Sequence, residues 1–473
     1  MADIPWDALP KTFQDAIEVT RRLGISYLWI DSLCIIQDSK DDWAREASKM
    51  ADIYRNAYVT VAATGAKDST VGLFLDSPRQ PGVLLKGSSS EGKPYSIQFY
   101  AGADPGHSDE PSVVDRIIQH PTKDADRARR SDTFRLLTRG WVFQERLLSP
   151  RFLQFGQDEL LWDCREATSC ECGQRPPDLV DSQCSMDGTP ELLAHKWRNI
   201  VELYSSLDLT FPTDALPALS GLAKRMAECR PGATYLAGIW DTSLALDLLW
   251  VPIGSARRRA NPYRAPTWSW SSVMAKTAFP GKWRSEEAEP SVELLEAFFT
   301  LDNAYCTAST YDGTGQVSDG NLTIVTSLLQ ANLKQQKDGS LVEYEGTTFH
   351  TANEQDTGIS HWGFPFYSKS KILLLDDPQE ALSYSGAVFC CRISRIAIQE
   401  NSNFFLVLQA RETVEIEFSL VLECLERQKK VFRRVGLLAD GRIIEGHQGD
   451  SDSWKREPSI FESRGPTTTI TIV

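Results

Sequence analysis

The sequence predicts an α/β protein: a parallel sheet at its N-terminal end, then a helical layer, then a β-rich C-terminal region. Three observations predict it. The stretch from Tyr27 to Thr64, YLWIDSLCIIQDSKDDWAREASKMADIYRNAYVTVAAT, reads as strand, loop, helix, strand. That is the βαβ pattern of a parallel sheet. Pro190 to Cys229 carries apolar residues at helical spacing, and from about Gly320 short β-like runs take over.

Taken in order, Leu9, Phe13, Ala16, Ile17 and Leu23 recur at helical spacing between Pro10 and Gly24, which supply start and stop signals. The apolar run Tyr27 to Ile30 then predicts a strand ending on Asp31, an amphipathic helix starts near Asp41, and Val59 to Val61 predicts the next strand. A further strand is expected at Tyr95 to Tyr100, and Ala101 to Ser131 reads as a long irregular insertion. Gly140 to Leu148 predicts a short helix, Arg151 to Phe155 and Glu159 to Asp163 two strands, and Ala167 to Gly188 a linker. Leu193, Trp197, Ile200, Val201 and Tyr204 mark one helix of the middle layer, and Leu219, Leu222 and Met226 another. Trp268 and Trp270 alternate with Ser in a strand-like run that would set both indoles on one face for domain packing. The β-like runs are Leu322 to Val325, Ala387 to Arg392, Phe404 to Leu408, Val414 to Leu422 and Thr467 to Val473. Domain boundaries are expected at 1–165, 166–285 and 286–473.

A length of 473 residues implies two or three domains, and 41% hydrophobic with 24% charged residues excludes a wholly disordered or fibrous chain. A net charge of −14 disfavours broad electrostatic binding to nucleic acid or anionic membrane. The basic runs Arg127 to Arg130 and Arg257 to Arg259 read as solvated surface. There is no secretory signal pattern, and no apolar run reaches the ~18 residues that a membrane span needs. The expectation is therefore a cytoplasmic protein whose ten cysteines are reduced thiols. Cys164, Cys170, Cys172 and Cys184 do not have the spacing of paired zinc ligands, so no metal site is expected. Motifs of zinc proteases, P-loops, dinucleotide-binding folds and lipases are all absent.

The segments IPWDALPKTFQDAI, LGISYLWIDSLCIIQDSKDDWAREASKMADIYRNA and TRGWVFQERLLSPRFLQFG, the last followed by LLWDC, resemble the fungal heterokaryon-incompatibility (HET) domain family in order and spacing. Downstream, FPTDALPALSGLA, YLAGIW, RAPTWSWSSV and FRRVGLLA resemble segments that accompany the domain. The family's usual opening block, Leu-Ser-Tyr-x-Trp-Gly, has no match here, which implies a shortened member with an open sheet edge. The resemblance implies a flavodoxin-like, Toll-receptor-like N-terminal fold. It also implies intracellular non-self recognition, with a cell-death reaction driven by self-association and protein partners. Toll-receptor-like domains that hydrolyse NAD with a helix-borne glutamate supply the rival expectation, with NAD as a substrate, and the missing opening block supplies a third, an inactive shortened fragment.

Candidate site residues follow from the helical wheel. From Asp41 onward, Trp43, Ala47, Met50, Tyr54 and Ala57 form one stripe, and Glu46 falls inside its arc. A carboxylate there is either paired or has a raised pKa, so Glu46 is a candidate catalyst and equally a structural Glu. Asp31 at a strand end could complete a pair of carboxylates with it, or bond loop amides instead. Cys34, Gln37, Asp38 and Trp43 would surround an NAD-like ligand, although Cys34 also reads as a small buried hydrophobe. Glu145 shares a helix face with Trp141 and Leu148, near Arg139, Arg146 and Arg151. It reads as a second pocket wall or as a Glu–Arg tie between helix and strand.

Overall fold

The computed structural model describes residues 4–75, 84–88, 94–98, 135–157, 160–171, 186–280, 292–336, 339–344, 347–351, 371–378, 386–401, 411–445 and 467–473. The chain folds as two compact units, Met1–Ser182 and Gln183–Val473. The insertion expected at Ala101 to Ser131, the run Phe404 to Leu408, the basic run Arg127 to Arg130, and Cys172 and Cys184 lie outside the described residues.

In the first unit, helix α1 (Lys11–Arg22) starts after Pro10 and is followed by Gly24 at φ 71°, a left-handed position suited to glycine. Its one deeply buried charge, Asp15, pairs with Lys11 and accepts the Leu73 N–H at 2.9 Å. Gly72, at φ 98°, donates its N–H to Thr12 Oγ1 at 3.2 Å. A Cβ on Gly72 would meet Asp15 Oδ2 at 2.5 Å, so the loop depends on glycine there.

A short helix α2 (Asp31–Cys34) precedes α3 (Lys40–Asn56), which Ser39 caps by accepting the Asp42 N–H at 3.2 Å. Strand β1 (Thr60–Ala62) follows. Strands β2 (Leu84–Ser88) and β3 (Pro94–Gln98) form a separate hairpin. After α4 (Gly140–Leu148) come β4 (Arg151–Phe155), β5 (Leu160–Cys164) and β6 (Thr168–Cys170). The sheet order is β1-β4-β5-β6, with β1 parallel to β4 and the other pairs antiparallel.

Three expectations are corrected here. The sheet is mixed, because the connections between β4, β5 and β6 are only a few residues long, too short for the crossover that parallel neighbours need. Residues Tyr27 to Ile30 form no strand: Ile30 is extended, but the run has no ladder partner among the described residues, and Tyr27 is 90% exposed. β-propensity needs a neighbouring strand to act on. Thr168–Cys170, expected within a linker, pairs with β5 instead.

The second unit begins with α5 (Pro190–Ser205), whose first residue is the favoured N1 proline behind Thr189 as cap, and continues with α6 (Ser220–Cys229). The hairpin β7 (Tyr235–Leu236) and β8 (Ile239–Trp240), the short helix α7 (Leu244–Asp247), and the strands β9 (Val251–Arg259) and β10 (Val273–Ala278) complete the layer. The Trp268 to Ser271 run is a turn leading into a 3-10 helix rather than a strand, yet both indoles are buried as expected of packing residues. Trp270 Nε1 and Trp197 Nε1 donate to Gly238 O at 3.0 and 2.9 Å, and Trp250 Nε1 donates to Trp268 O at 2.8 Å. Within the segment it is the Trp270 indole N–H, bonded to the Gly238 carbonyl, that replaces cross-strand pairing.

Among the described residues ten strands follow: β11 (Val292–Ala297), β12 (Phe299–Ala308), β13 (Val317–Gln336), β14 (Gly339–Tyr344), β15 (Thr347–Thr351), β16 (Lys371–Leu375), β17 (Gly386–Asn401), β18 (Arg411–Glu426), β19 (Val431–Glu445) and β20 (Thr467–Ile472). Pairing runs β17-β18-β19-β16-β15-β14-β13 and returns from β13 to β17, closing a ring. Leu329, Ala331 and Leu333 of β13, Leu373 and Leu375 of β16, and Val388 and Cys390 of β17 alternate along their strands and share one core cluster. That period of two is what a closed sheet with a filled interior requires.

The Arg257 to Arg259 run is not simply solvated surface. Arg259 reaches inward to Asp376 (3.2 Å), and its N–H is taken by Asp377 Oδ2 at 2.8 Å. No helix among the described residues is long and apolar enough to cross a membrane.

Candidate functional site

α3 carries Trp43 and Tyr54 toward its neighbours, three helical turns apart on one stripe. Trp43 meets Trp141 of α4 edge to face at 6.1 Å, and Tyr54 meets Trp29 edge to face at 5.7 Å. α4 presents Glu145 one turn after Trp141. Tyr54 and Glu145 share a side-chain hydrogen bond, with Asp31 and Arg139 close enough to act on both.

The electrostatics follow from that grouping. Burial pushes the Glu145 carboxyl up to about 7; the Asp31 charge adds to the rise, while the Tyr54 hydrogen bond and Arg139 oppose it. The Tyr54 hydroxyl is held well above its ordinary value, first by burial and then by Glu145 and Asp31. Near neutral pH, Glu145 therefore exchanges a proton easily, and Tyr54 serves as a neutral donor.

Asp31 heads α2, with Oδ1 accepting the Ser32 N–H at 2.7 Å. The loop beyond is shaped by Gln37, whose Nε2 donates to Asp31 O at 3.3 Å and Ile35 O at 2.8 Å. Asp42 Oδ2 accepts the Ile36 N–H at 2.8 Å and closes the loop onto α3. Asp38 and Cys34 are exposed, so the expectation that Cys34 is a small buried hydrophobe is corrected. Without the strand predicted at Tyr27 to Ile30, no sheet covers it.

Glu46 has other company. Its carboxylate lies 2.8 Å from Lys49 and 3.6 Å from Arg45, both on its own helix. The acidic residue that joins Asp31 is thus Glu145. The cations expected near Glu145 also separate. Arg146 pairs with Asp163 at 3.1 Å, and Arg151 donates to Tyr58 O at 3.2 Å, its guanidinium 5.3 Å from the Tyr58 ring. Only Arg139 of the three acts on Glu145.

Sequence reasoning missed Tyr54 and Trp29 as site residues. The available signal was that Tyr54, a polar-tipped aromatic, shares an otherwise apolar stripe, because a buried phenol needs a partner.

Residues 2–145 match a family model described as Heterokaryon incompatibility protein (HET), a match that ends on Glu145 itself. No curated protein and no solved structure matches the chain.

Proposed function

We propose, from the match of residues 2–145 to the heterokaryon-incompatibility family model, that this chain acts in fungal non-self recognition, passing a cell-death signal through regulated self-association of that region. The observation that supports association is the apolar run Tyr27, Leu28, Leu33 and Ile36, 90%, 38%, 43% and 58% exposed, on backbone that lacks a sheet partner among the described residues. An exposed apolar patch of this kind favours burial against another chain. The β-rich second unit is the natural regulator in this scheme.

Inducing the full chain in fungal cells tests the proposal. Growth arrest is expected, and the double substitution Tyr27→Lys with Ile36→Glu is expected to relieve it at equal protein level, since neither side chain supports the core. Healthy growth at high wild-type levels would remove the proposal.

A second reading, NAD glycohydrolysis, draws on the raised Glu145 carboxyl beside Asp31 and Tyr54. Two acidic groups would stabilise the positive charge that develops on a ribose ring as nicotinamide leaves. In this reading the loop residues Cys34, Gln37 and Asp38, with Trp43, face the ligand, and Glu145 replaces Glu46 as the principal acid. Nicotinamide release by the full chain, measured beside Glu145→Gln and Glu46→Gln, separates the roles. Loss in Glu145→Gln alone supports it, and no release from wild type ends it.

A further inference from the structure

Among the buried donors of the second unit that meet no acceptor among the described residues, three belong to neighbouring side chains: Arg230 Nη1, the Tyr235 hydroxyl and Trp240 Nε1. They gather around one indole. The Arg230 guanidinium lies 5.0 Å from the Trp240 ring, and the Tyr235 and Trp240 rings are 5.3 Å apart. Trp197 packs edge to face on Trp240 at 5.7 Å and on Tyr235 at 5.8 Å, so the surroundings are aromatic. Buried donors in native proteins nearly always have partners, and three orphans at one place call for a common acceptor.

The charge balance says what kind. Arg198 and Asp247 face each other at 2.9 Å and cancel, while Asp247 also accepts the backbone N–H of Trp240 at 3.1 Å and the Ser243 hydroxyl at 2.7 Å. Arg230 is left with two neutral hydroxyls, Thr242 Oγ1 at 2.8 Å and Ser243 Oγ at 3.2 Å. Burial and Arg198 lower its pKa, and Asp247 and Asp241 only partly oppose them. Asp312, on the Tyr235 side, is already engaged by Lys224 at 2.8 Å and by Thr314. The cluster is thus rich in donors and carries a cation without a direct counter-charge among the described residues. A water molecule would answer the donors but not the charge.

We infer that Arg230, Tyr235 and Trp240 form an oxyanion site, receiving a phosphate or carboxylate group against an aromatic wall. Arg230 supplies charge-assisted bonds, and the phenol and indole fix the orientation of the remaining oxygens. The site is closed on one side by Trp197, which favours a compact group or the charged end of a longer ligand.

Thermal unfolding of the full chain tests the site, with inorganic phosphate or acetate added against sodium chloride at equal ionic strength. A saturable rise in the unfolding temperature with phosphate identifies a tetrahedral oxyanion, and a rise with acetate alone identifies a carboxylate. Arg230→Gln should weaken the response about tenfold or more, the scale of a lost charge-assisted bond. Tyr235→Phe should weaken it about two- to tenfold, read against the variant's own anion-free unfolding temperature, because the hydroxyl accepts from the Gly238 backbone but its own proton has no acceptor among the described residues. Arg225→Gln, which breaks an exposed pair with Glu228 (2.7 Å), serves as the control and should leave the response unchanged. The site is refuted if neither anion raises the unfolding temperature beyond chloride, or if Tyr235→Phe responds as wild type does. The Tyr235→Phe arm keeps the test decisive should Arg230→Gln fail to fold.

Discussion

Arg434→Ala is expected to destabilise the second unit by roughly 3–5 kcal/mol, the cost of stranding one partner of a buried ion pair. Arg434 and Asp376 are both completely buried, and Arg434 Nε lies 3.1 Å from Asp376 Oδ2. Arg434 Nη1 donates to Leu248 O at 2.8 Å, and Nη2 donates to Trp250 O at 2.6 Å. Its guanidinium also stacks 3.6 Å from the Trp250 ring. Arg259 adds a second cation to Asp376 and donates to the Arg434 carbonyl. One side chain of β19 therefore ties together the α7–β9 connection, the end of β16 and the barrel wall. Burial lowers the Arg434 pKa only to about 10, so it remains charged at neutral pH.

Truncation would leave Asp376 facing Arg259 alone and orphan two carbonyls. Denaturant unfolding of the full chain should show the second unit's midpoint falling sharply. The double variant Arg434→Met with Asp376→Leu should recover part of that loss, because removing both charges removes the desolvation penalty. A single variant within 1 kcal/mol of wild type would show that this node does not hold the unit together.

Glu145→Gln is expected to act in the opposite direction, and only where the carboxylate is ionised. A carboxyl whose folded pKa is raised holds its proton more tightly when folded, so stability falls as pH rises from the unfolded value toward the folded one. With the folded value at about 7, the first unit should lose roughly 2–3 kcal/mol between about pH 4.5 and 7. Glutamine carries no such charge. The variant should match wild type near pH 4.5 and exceed its stability above pH 7 by about the amount wild type loses, less the contribution of the Tyr54 hydrogen bond.

His195 in the second unit slopes the other way. Burial first, and Arg198 second, hold it down to about 3, so its contribution is lost as pH falls below about 6.5. The difference between wild type and Glu145→Gln across the pH series isolates the carboxyl. Parallel curves would mean that Glu145 is not strained by burial and that its environment is wetter than its place beside Tyr54 indicates.

Legibility in the sequence tracked how local each cause was. Gly140–Leu148 and Arg151–Phe155 were readable to the residue, because apolar period and flanking breakers coincide with the observed ends. The same local logic misread Tyr27 to Ile30, whose aromatic and branched residues make a good strand only if a neighbour is present. Arg257 to Arg259 looked like solvated charge because Asp376 and Asp377 stand more than a hundred residues away. In the candidate site, Asp31 and Glu145 were visible one at a time as acids in revealing positions. Glu46 attracted attention by its wheel position, but Lys49 and Arg45 on its own helix are sufficient company for it.

The sequence by itself determined the α/β character, the positions of most helices and strands, and the similarity of residues 2–145 to the heterokaryon-incompatibility family, because propensity, periodicity and motif spacing are written in neighbouring residues. Only the tertiary structure decided that Glu145 rather than Glu46 meets Asp31 and Tyr54. It alone showed that β13 closes onto β17 and that Arg434 and Asp376 share one buried node. Those three outcomes depend on groups brought together across tens to hundreds of residues, where desolvation makes a polar group's partner an energetic necessity that no local pattern records.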